Sequence, residues 1–357
     1  MVPTCVQEVG MRVDLRVPAC APVPQVVRFV QECERAGFNA VGIIDSQLLT
    51  RDVFVALGAL AQATAKIGLY PAVTNPVTRH SSVLAGAIAT VGEMAPGRVD
   101  LVLGSGYSSV NTIGLHAARR QEMRQAVLEM KALLRGEAVQ FGSKRSRLAF
   151  AKGQPPRVYI AATDPQLIEV AGEVADGVML QVGYHPAIIR KAREHVEAGA
   201  RRAGRDVKDV DVIVCVRIDV CDDVEEGTES TRPVCANWVI EKRRGRWLKE
   251  AGIEIPDSEI PPEVYQVYPD LMHPEDPAFA RKATAFLSKE MVRRISNALG
   301  IVGPAQECIR RLREARDWGV EHVYLVTPKT YQLPEETLGV FRGTTIDRAL
   351  GRSERRP

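Results

Sequence analysis

The chain has 357 residues, of which 45% are hydrophobic and 25% charged, and its formal net charge is only +3. This composition is typical of a folded protein with an ample core. The charge is too small to predict a nucleic-acid or membrane-surface partner. The seven cysteines include no Cys-x-x-Cys pair, and the six histidines include no His-x-x-x-His or His-Glu-x-x-His pair. We therefore expect no metal site. The sequence shows no charged leader and no run of about 18 apolar residues, so we expect the protein to work in the reducing cytoplasm.

Strand-like and helix-like patterns alternate from the first residues onward. Apolar residues at alternate positions predict a strand over 11–17, and apolar residues at helical spacing predict a helix over 23–37 that ends at Gly37. The same patterns predict further strands at 39–45, 66–73, 99–104, 157–162, 177–181, 210–220 and 322–327. They predict helices between them at 52–65, 81–94, 119–135, 165–175 and 186–203.

Eight short apolar strands separated by helices predict an α/β fold, a closed parallel (β/α)8 TIM barrel. A doubly wound open sheet is the alternative, which the lack of a Gly-x-Gly-x-x-Gly fingerprint after strand one disfavours. Residues 222–300 are rich in charge and proline and too long for a simple connection. We expect them to form an insertion between strands 7 and 8 that covers the barrel mouth. The prediction is one TIM-barrel domain over 1–350, followed by a disordered tail over 351–357.

Four predicted strands end in polar or glycine-rich residues, and in a barrel these four ends converge on one mouth. Strand 2 ends in Asp45, Ser46 and Gln47, strand 3 in Ala72, Val73, Thr74 and Asn75, strand 4 in Gly104, Ser105, Gly106, Tyr107 and Ser108, and strand 5 in Ala161, Ala162 and Thr163. Glycines allow close approach of the backbone, and a helix opening after Thr163 could present N–H groups to a phosphate. The last two ends therefore suit a large anionic ligand, although each Gly-Ser cluster could also be a plain tight turn.

Several polar and aromatic residues keep two interpretations at this point. Asp45 could face a ligand or stabilise the loop before Arg51, and Asp164 is expected to cap its helix rather than face a phosphate. Arg79 and His80 could orient a ligand or begin the helix that Ser81 could cap, whereas His116, His185 and His273 are isolated and not expected to be catalytic. Four aromatic residues of the insertion could wall a pocket for a flat ring or pack the insertion onto the barrel: Trp238, Trp247, Tyr265 and Tyr268.

Several stretches, in order along the chain, resemble the bacterial luciferase-like superfamily of flavin and deazaflavin oxidoreductases. Within it, the chain most resembles the methylenetetrahydromethanopterin reductase branch. The matching stretches are VTNPVTRH at 73–80, AIAT at 87–90, GR at 97–98, LGSG at 103–106, VYIAA at 158–162, AGEVADGV at 171–178, IVGP at 301–304 and WGVEHV at 318–323. The resemblance covers roughly residues 11–220 and 291–330.

This resemblance implies a (β/α)8 barrel that binds coenzyme F420, a reduced 8-hydroxy-5-deazaflavin, or alternatively FMN at its carboxyl end. It implies a non-prolyl cis peptide at Ala72–Val73, in a bulge that presses on the ring, and a homodimer. The ends of strands 3, 4 and 5 named above would bind the cofactor. Asp45, Ser46 and Gln47 would be the catalytic residues facing the substrate, with Asp45 or a bound water donating a proton or orienting a hydrogen bond.

Three departures from the resemblance bear on the site. The family more often has glycine where this chain has Ala72. Many relatives follow the strand-two aspartate with histidine, where this chain has Ser46, and the methanopterin reductases carry a glutamate in strand one, where Leu15 takes its place. The last two changes favour a substrate other than methylenetetrahydromethanopterin.

The sequence thus predicts an F420-dependent oxidoreductase that transfers a hydride to a C=N, C=C or C=O bond of a small organic substrate. The alternative is an FMN-dependent luciferase-like monooxygenase, which uses O2 and needs a flavin reductase partner. A second alternative is a flavin-binding protein without turnover.

Overall fold

The computed structural model describes residues 11–255, 257, 259–342 and 346–350. Its strands are β1 (Arg12–Val17), β2 (Ala40–Ile43), β3 (Gly68–Pro71), β4 (Leu101–Leu103), β5 (Val139–Phe141), β6 (Lys144–Ser146), β7 (Val158–Ala162), β8 (Gly177–Leu180), β9 (Asp211–Val220), β10 (Gly300–Gly303) and β11 (His322–Val326). Its helices are α1 (Val23–Ala36), α2 (Val53–Ala63), α3 (Ser81–Met94), α4 (Ser108–Asn111), α5 (Arg120–Leu134), α6 (Pro165–Val174), α7 (Pro186–Arg202), α8 (Val224–Ser230), α9 (Arg232–Ile240), α10 (Lys242–Glu250), α11 (Pro277–Ala283), α12 (Lys289–Leu299), α13 (Ala305–Asp317), α14 (Glu335–Gly339) and α15 (Ile346–Ala349). Short 3-10 helices lie at Val207–Asp209 and Pro262–Gln266.

Eight parallel strands form one sheet in the order β3-β2-β1-β11-β9-β8-β7-β4. Parallel bridges between Leu69 and Val99 and between Thr74 and Leu103 join β3 to β4 and close the ring. The predicted TIM barrel is confirmed. The open-sheet alternative is wrong, because the two strands that would be its edges are bridged to each other.

Two strand pairings were not predicted. β10 pairs in parallel with the last four residues of β9, with Gly300 opposite Arg217, whereas residues 211–217 of β9 pair with β8 and β11. A small antiparallel ribbon of β5 and β6 follows α5. Both consist of segments of three or four residues, which are too short for their periodicity to be recognised.

Local sequence sets the ends of the helices. Gly37 follows α1 with φ 87°, a left-handed conformation that glycine adopts without penalty. Asp52 caps α2 by accepting from the amides of Phe54 and Val55, and Asp164 caps α6 in the same way. At the start of α3 the capping side chain is His80, which accepts from the amide of Ser82, and not Ser81.

Side chains of the barrel strands alternate between two apolar layers. Outward residues such as Leu15 pack under the helices in the main core. Inward residues fill the centre of the barrel: Ala40, Tyr70, Val102, Tyr159, Ala161, Met179, Ile213 and Tyr324. Toward the carboxyl ends of the strands the inward residues become small or polar, among them Ala72, Gly104 and Arg16, and this change leaves room for a cavity.

The segment between β9 and β10 contains helices α8–α12. Trp238 and Trp247 are 3% and 1% exposed, whereas Tyr265 and Tyr268 are 72% and 56% exposed. The Trp247 indole N–H donates to the carbonyl of Thr163 at 2.8 Å, which ties α10 to the end of β7. The tryptophans thus pack against the barrel and the tyrosines face solvent. The domain boundary at 350 stays a prediction, and the predicted tail over 351–357 lies outside the described residues.

Candidate functional site

A cavity of about 1100 Å³ opens at the carboxyl ends of the barrel strands. Eleven of the predicted site residues line it: Asp45, Ser46, Ala72, Val73, Gly104, Ser105, Gly106, Tyr107, Ser108, Ala161 and Thr163. The position agrees with the rule that ligands bind at this face of a TIM barrel. Four strand ends therefore do meet around one space.

The four remaining predicted residues lie behind the cavity wall. Thr74 and Asn75 are buried, and the Asn75 carboxamide accepts from the amides of Val77 and Thr78 and donates to Ser109. Successive side chains of a strand point to opposite faces, so Ala162 faces the main core while Ala161 faces the inside of the barrel. Gln47 donates to Asp45 at 3.0 Å. These side chains support the wall rather than form it.

One wall of the cavity is made by close contact between neighbouring strands. The Ala72–Val73 peptide is cis, as the resemblance implied. A Cβ added to Gly104 would lie 2.6 Å from a methyl group of Val73, and one added to Gly42 would lie 2.6 Å from the Ala72 Cβ. Glycine at 42 and 104 is therefore what lets the strands around Ala72 and Val73 approach so closely.

Asp45 is held in a charged network rather than free in the cavity. Its carboxylate accepts from Arg79 at 2.6 Å, and Arg79 also donates to Asp52, the cap of α2. Burial by itself lowers the pKa of Arg79, but the two aspartates outweigh this effect and raise it. Beside this network, the hydroxyls of Ser46 and Ser108 lie 2.8 Å apart and link the ends of β2 and β4.

His273, an isolated histidine that was not expected to be catalytic, lines the same cavity. His273 comes from the segment between β9 and β10, and its Nδ1 lies 3.0 Å from a carboxylate oxygen of Asp270. The second ring nitrogen has no hydrogen-bond partner in the described part of the chain. Burial lowers the pKa of His273, and the charge of Asp270 offsets that effect only in part. The pair brings an oriented, neutral imidazole to the cavity.

Arginines dominate the charge of the cavity lining. Arg16 and Arg217 come from β1 and β9, and Arg244 lies 5.8 Å from the ring centre of Tyr107 and 5.7 Å from that of Trp238. The buried indole N–H of Trp238 has no partner within the described ranges. Burial lowers the pKa of Arg16 and of Arg244, and it lowers that of Arg217 to about 9.

Strand alternation could have identified Arg16 from the sequence. The side chains at positions 12, 14 and 16 of β1 point to the inside of the barrel, whereas Leu15 points outward into the main core. Leu15 therefore cannot contribute to the cavity, and the residue of β1 that lines it is Arg16. His273 has no comparable signal, because its position depends on how a long connection folds back over the barrel.

Two further observations concern the described residues as a whole. No group of three or more His, Cys, Asp or Glu side chains among them is placed to hold a metal ion. None of the helices in this part of the chain has both the length and the apolar character that crossing a membrane requires.

Comparisons with known proteins show which family the chain belongs to and which solved structures share its fold. The chain is 28% identical over 317 residues to the 5,10-methylenetetrahydromethanopterin reductase of Methanolobus tindarius, a match that spans 86% of this chain and 91% of that protein. It is 29% identical to the F420-dependent glucose-6-phosphate dehydrogenase of Beutenbergia cavernae, over 57% of this chain and 66% of that protein. Its fold matches the structure of the coenzyme F420-dependent tetrahydromethanopterin reductase from Methanopyrus kandleri with a TM-score of 0.75 and 20% identity, over 95% of this chain and 99% of the other. The model of the luciferase-like monooxygenase family matches residues 7–322, and the chain belongs to that family.

Proposed function

We propose that this protein is an F420-dependent oxidoreductase that transfers a hydride to a C=N, C=C or C=O bond of a small organic substrate. Two relatives whose names state reductase or F420-dependent dehydrogenase activity support the cofactor class. The observation that carries the proposal is the cavity, because it combines a wall of small side chains with basic groups on two sides. Such a space suits a flat ring with an anionic tail and a second, smaller molecule.

The residues present fit this cofactor. Ala72, Val73 and Gly104 form the close-packed wall against which a flat ring can lie. The unpartnered indole N–H of Trp238 is a donor available to a ligand. We assign the ring to this part of the cavity and the ring edge to the backbone of 104–108.

Arginines at the start of α5 suit the phosphate of the tail. Arg119 and Arg120 line the same cavity as Thr163, and the amide of Ala118, just before them, donates to the carbonyl of Ser105 after β4. The amides of Gln166 and Leu167 already bond to the Asp164 cap, so the start of α6 offers fewer free N–H groups than the sequence suggested. We therefore assign the phosphate to the guanidinium groups, with the Thr163 end of β7 beside them.

When bound, reduced F420 supplies a hydride from C5 of its ring. Ala72 and Val73 support the ring, and Ser46 faces the space left for the substrate. Asp45, fixed by Arg79 and Gln47, orients this loop. We favour His273 over Asp45 as the proton carrier, because Asp45 is already paired with a guanidinium while one nitrogen of His273 remains for the substrate. The ring would first take up a proton from solvent and would then pass it from Nε2 to the substrate atom that gains negative charge on hydride transfer, while Asp270 stabilises the charged ring.

The reaction class can be tested before the substrate itself is identified. Purified protein is incubated without oxygen with reduced F420 and a panel of small imines, enones, aldehydes and ketones, and oxidised F420 is followed by absorbance. The proposal predicts substrate-dependent oxidation of F420. In a separate assay in air with reduced FMN, it predicts no O2 uptake above the rate measured without protein. Substrate-dependent O2 uptake well above that rate, together with no oxidation of F420 by any compound, would favour the monooxygenase alternative.

A homodimer remains a prediction from the resemblance. Light scattering on the purified chain would measure its mass directly.

A further inference from the structure

Arg16 and Arg217 lie side by side across one barrel strand. In the sheet, β11 pairs with β1 on one side and β9 on the other. Val326 of β11 is opposite Arg217, and the register that places Leu15 opposite Leu325 places Arg16 beside Val326. All three side chains line the cavity. Two guanidinium groups therefore flank the end of β11 on the inner surface of the barrel.

Neither guanidinium group has a carboxylate partner. Among the described residues they form no ion pair, and their contacts are the carbonyl of Thr327 at 3.4 Å from Arg16 and the sulfur of Met272 at 3.9 Å from Arg217. The carboxylate of Asp270 is taken by the His273 ring and by two backbone amides. Arg16 is buried and Arg217 is partly buried, and withdrawing a charge from water without giving it a partner is unfavourable. Two neighbouring arginines without carboxylate partners are therefore suited to an anion from outside the chain.

The pair lies on the opposite side of the barrel from the region assigned to the cofactor phosphate. In the ring of eight strands, β11 is four positions from β4, and β4 leads into the residues near Arg119 and Arg120. A cofactor with its phosphate at that end leaves the Arg16–Arg217 pair free. This assignment of the two sides rests on the proposed function, whereas the unpaired state of the two arginines does not.

We propose that Arg16 and Arg217 form an oxyanion subsite that holds a carboxylate or phosphate group of the substrate. The planar guanidinium group binds such oxyanions through two parallel hydrogen bonds. The substrate is then a small organic acid or phosphate ester whose reducible bond is positioned beside His273, which lines the same part of the cavity. The neutral analogue of such a substrate would lose these bonds and leave both guanidinium groups unpaired.

The test uses malonate and inorganic phosphate as probes on the F420-bound protein, at constant ionic strength adjusted with chloride. Binding is measured by calorimetry, and stability by thermal unfolding. We compare wild type with Arg16→Met, Arg217→Met and the matched control Arg243→Met, which removes an arginine from the exposed rim of the cavity. F420 affinity is measured separately for each protein by fluorescence.

If Arg16 and Arg217 form this subsite, at least one probe should bind saturably to wild type and to Arg243→Met. Binding should be weaker by about ten- to hundredfold in Arg16→Met and Arg217→Met, the loss expected for one charged hydrogen-bonding group. Without the probe, these two variants should be at least as stable as wild type, because each substitution removes a wholly or partly buried charge that has no carboxylate partner. Preference for malonate over phosphate, or the reverse, tells which oxyanion the subsite takes.

Three results would overturn the inference. The first is that neither probe binds wild type, and the second is that all four proteins bind equally, as expected for a general salt effect. The third is that Arg16→Met and Arg217→Met lose F420 affinity, which would assign the arginines to the cofactor. Failure of wild type to bind F420 would refute the proposed function instead, and the same probe titrations on the cofactor-free protein would still decide the oxyanion subsite.

Discussion

At the scale of single residues, the site depends on how each ionisable side chain is partnered. Asp45 has a guanidinium partner at 2.6 Å, and His273 has a carboxylate partner at 3.0 Å. Arg79 holds the Asp45 carboxylate in its loop, whereas Asp270 contacts only one nitrogen of the His273 ring and leaves the other available. Asp45 and His273, the two candidates for proton transfer, therefore differ in which atoms remain for a substrate.

The state of His273 can be measured directly. Burial lowers the pKa of its ring below the ordinary value of about 6.5, and Asp270 raises it by favouring the charged form. We expect His273 to titrate below about 6.5 in wild type and lower still in Asp270→Asn, because the supporting charge is gone. NMR titration of the histidine ring signals, with His273→Gln to assign the resonance, checks both. A pKa of His273 above about 6.5 in wild type, or no change in Asp270→Asn, would contradict this description.

The place of a residue at the cavity was predictable where position along a strand decides it. The ends of strands 2 to 5 could be found because each apolar run is followed by polar or small residues, and eleven of the fifteen named residues line the cavity. Their roles in binding and catalysis stay predictions, and the side chain of Ala162 lies in the main core because strand alternation turns it away from the cavity. His273 could not be found, since its place in the cavity results from contacts between a long connection and the barrel.

At the scale of secondary-structure elements, the packing of α6 against α7 depends on close contact between their backbones. Helices α6 and α7 face each other through Gly172 and Gly199. A Cβ on Gly172 would lie 2.3 Å from the carbonyl oxygen of Val196, and one on Gly199 would lie 1.9 Å from that of Glu169. Because backbone cannot move aside as a side chain can, any larger residue must push the helices apart.

We expect Gly199→Ala to destabilise the protein by about 2 to 3 kcal/mol, the upper part of the range for overpacking. The matched control is Gly86→Ala in α3, where an added Cβ meets nothing within 4 Å. That change should be neutral or stabilising by up to about 1 kcal/mol, because alanine favours helix. Urea unfolding of both variants measures the difference, and equal stability of the two would refute the contact.

Most elements with a clear period were predicted, although the 13-residue helix α13 was not. Helix α3 was predicted with its observed bounds, and the eight barrel strands differ from prediction only at their ends. The strand β10 and the β5–β6 ribbon were missed because three or four residues do not show a period. The helices between β9 and β10 were foreseen only as an insertion, since their charge and proline content hides the helical pattern.

At the scale of the whole molecule, a buried polar cluster joins strands at the amino end of the barrel. Asp14 of β1 accepts from Tyr70 of β3 at 2.7 Å and lies 2.8 Å from the His322 ring of β11. Asp211 of β9 pairs with Arg12 and His322. Strands that are distant in sequence are thus linked by charge opposite the cavity.

This cluster gives stability a defined pH dependence. Burial alone lowers the pKa of His322, but Asp14, with Asp211, outweighs it and raises the pKa. A raised pKa means that protonated His322 stabilises the fold fully below about pH 6.5 and that this contribution is lost as pH rises through the folded-state pKa. His322→Gln should therefore lower the free energy of unfolding more at pH 6 than at pH 9, as measured with urea. The surface control His116→Gln should show no such difference between the two pH values. A cost in His322→Gln that is the same at both pH values, or larger at pH 9, would contradict the assignment.

Binding of F420 in the cavity can be measured by fluorescence titration of the purified chain with F420 and with FMN. We expect F420 to bind at least about tenfold more tightly than FMN, a difference of about 1.4 kcal/mol. We also expect that Gly104→Ala, which crowds Val73, weakens F420 binding, whereas Gly86→Ala does not. FMN binding as tight as F420 binding, or no binding of either, would contradict this expectation.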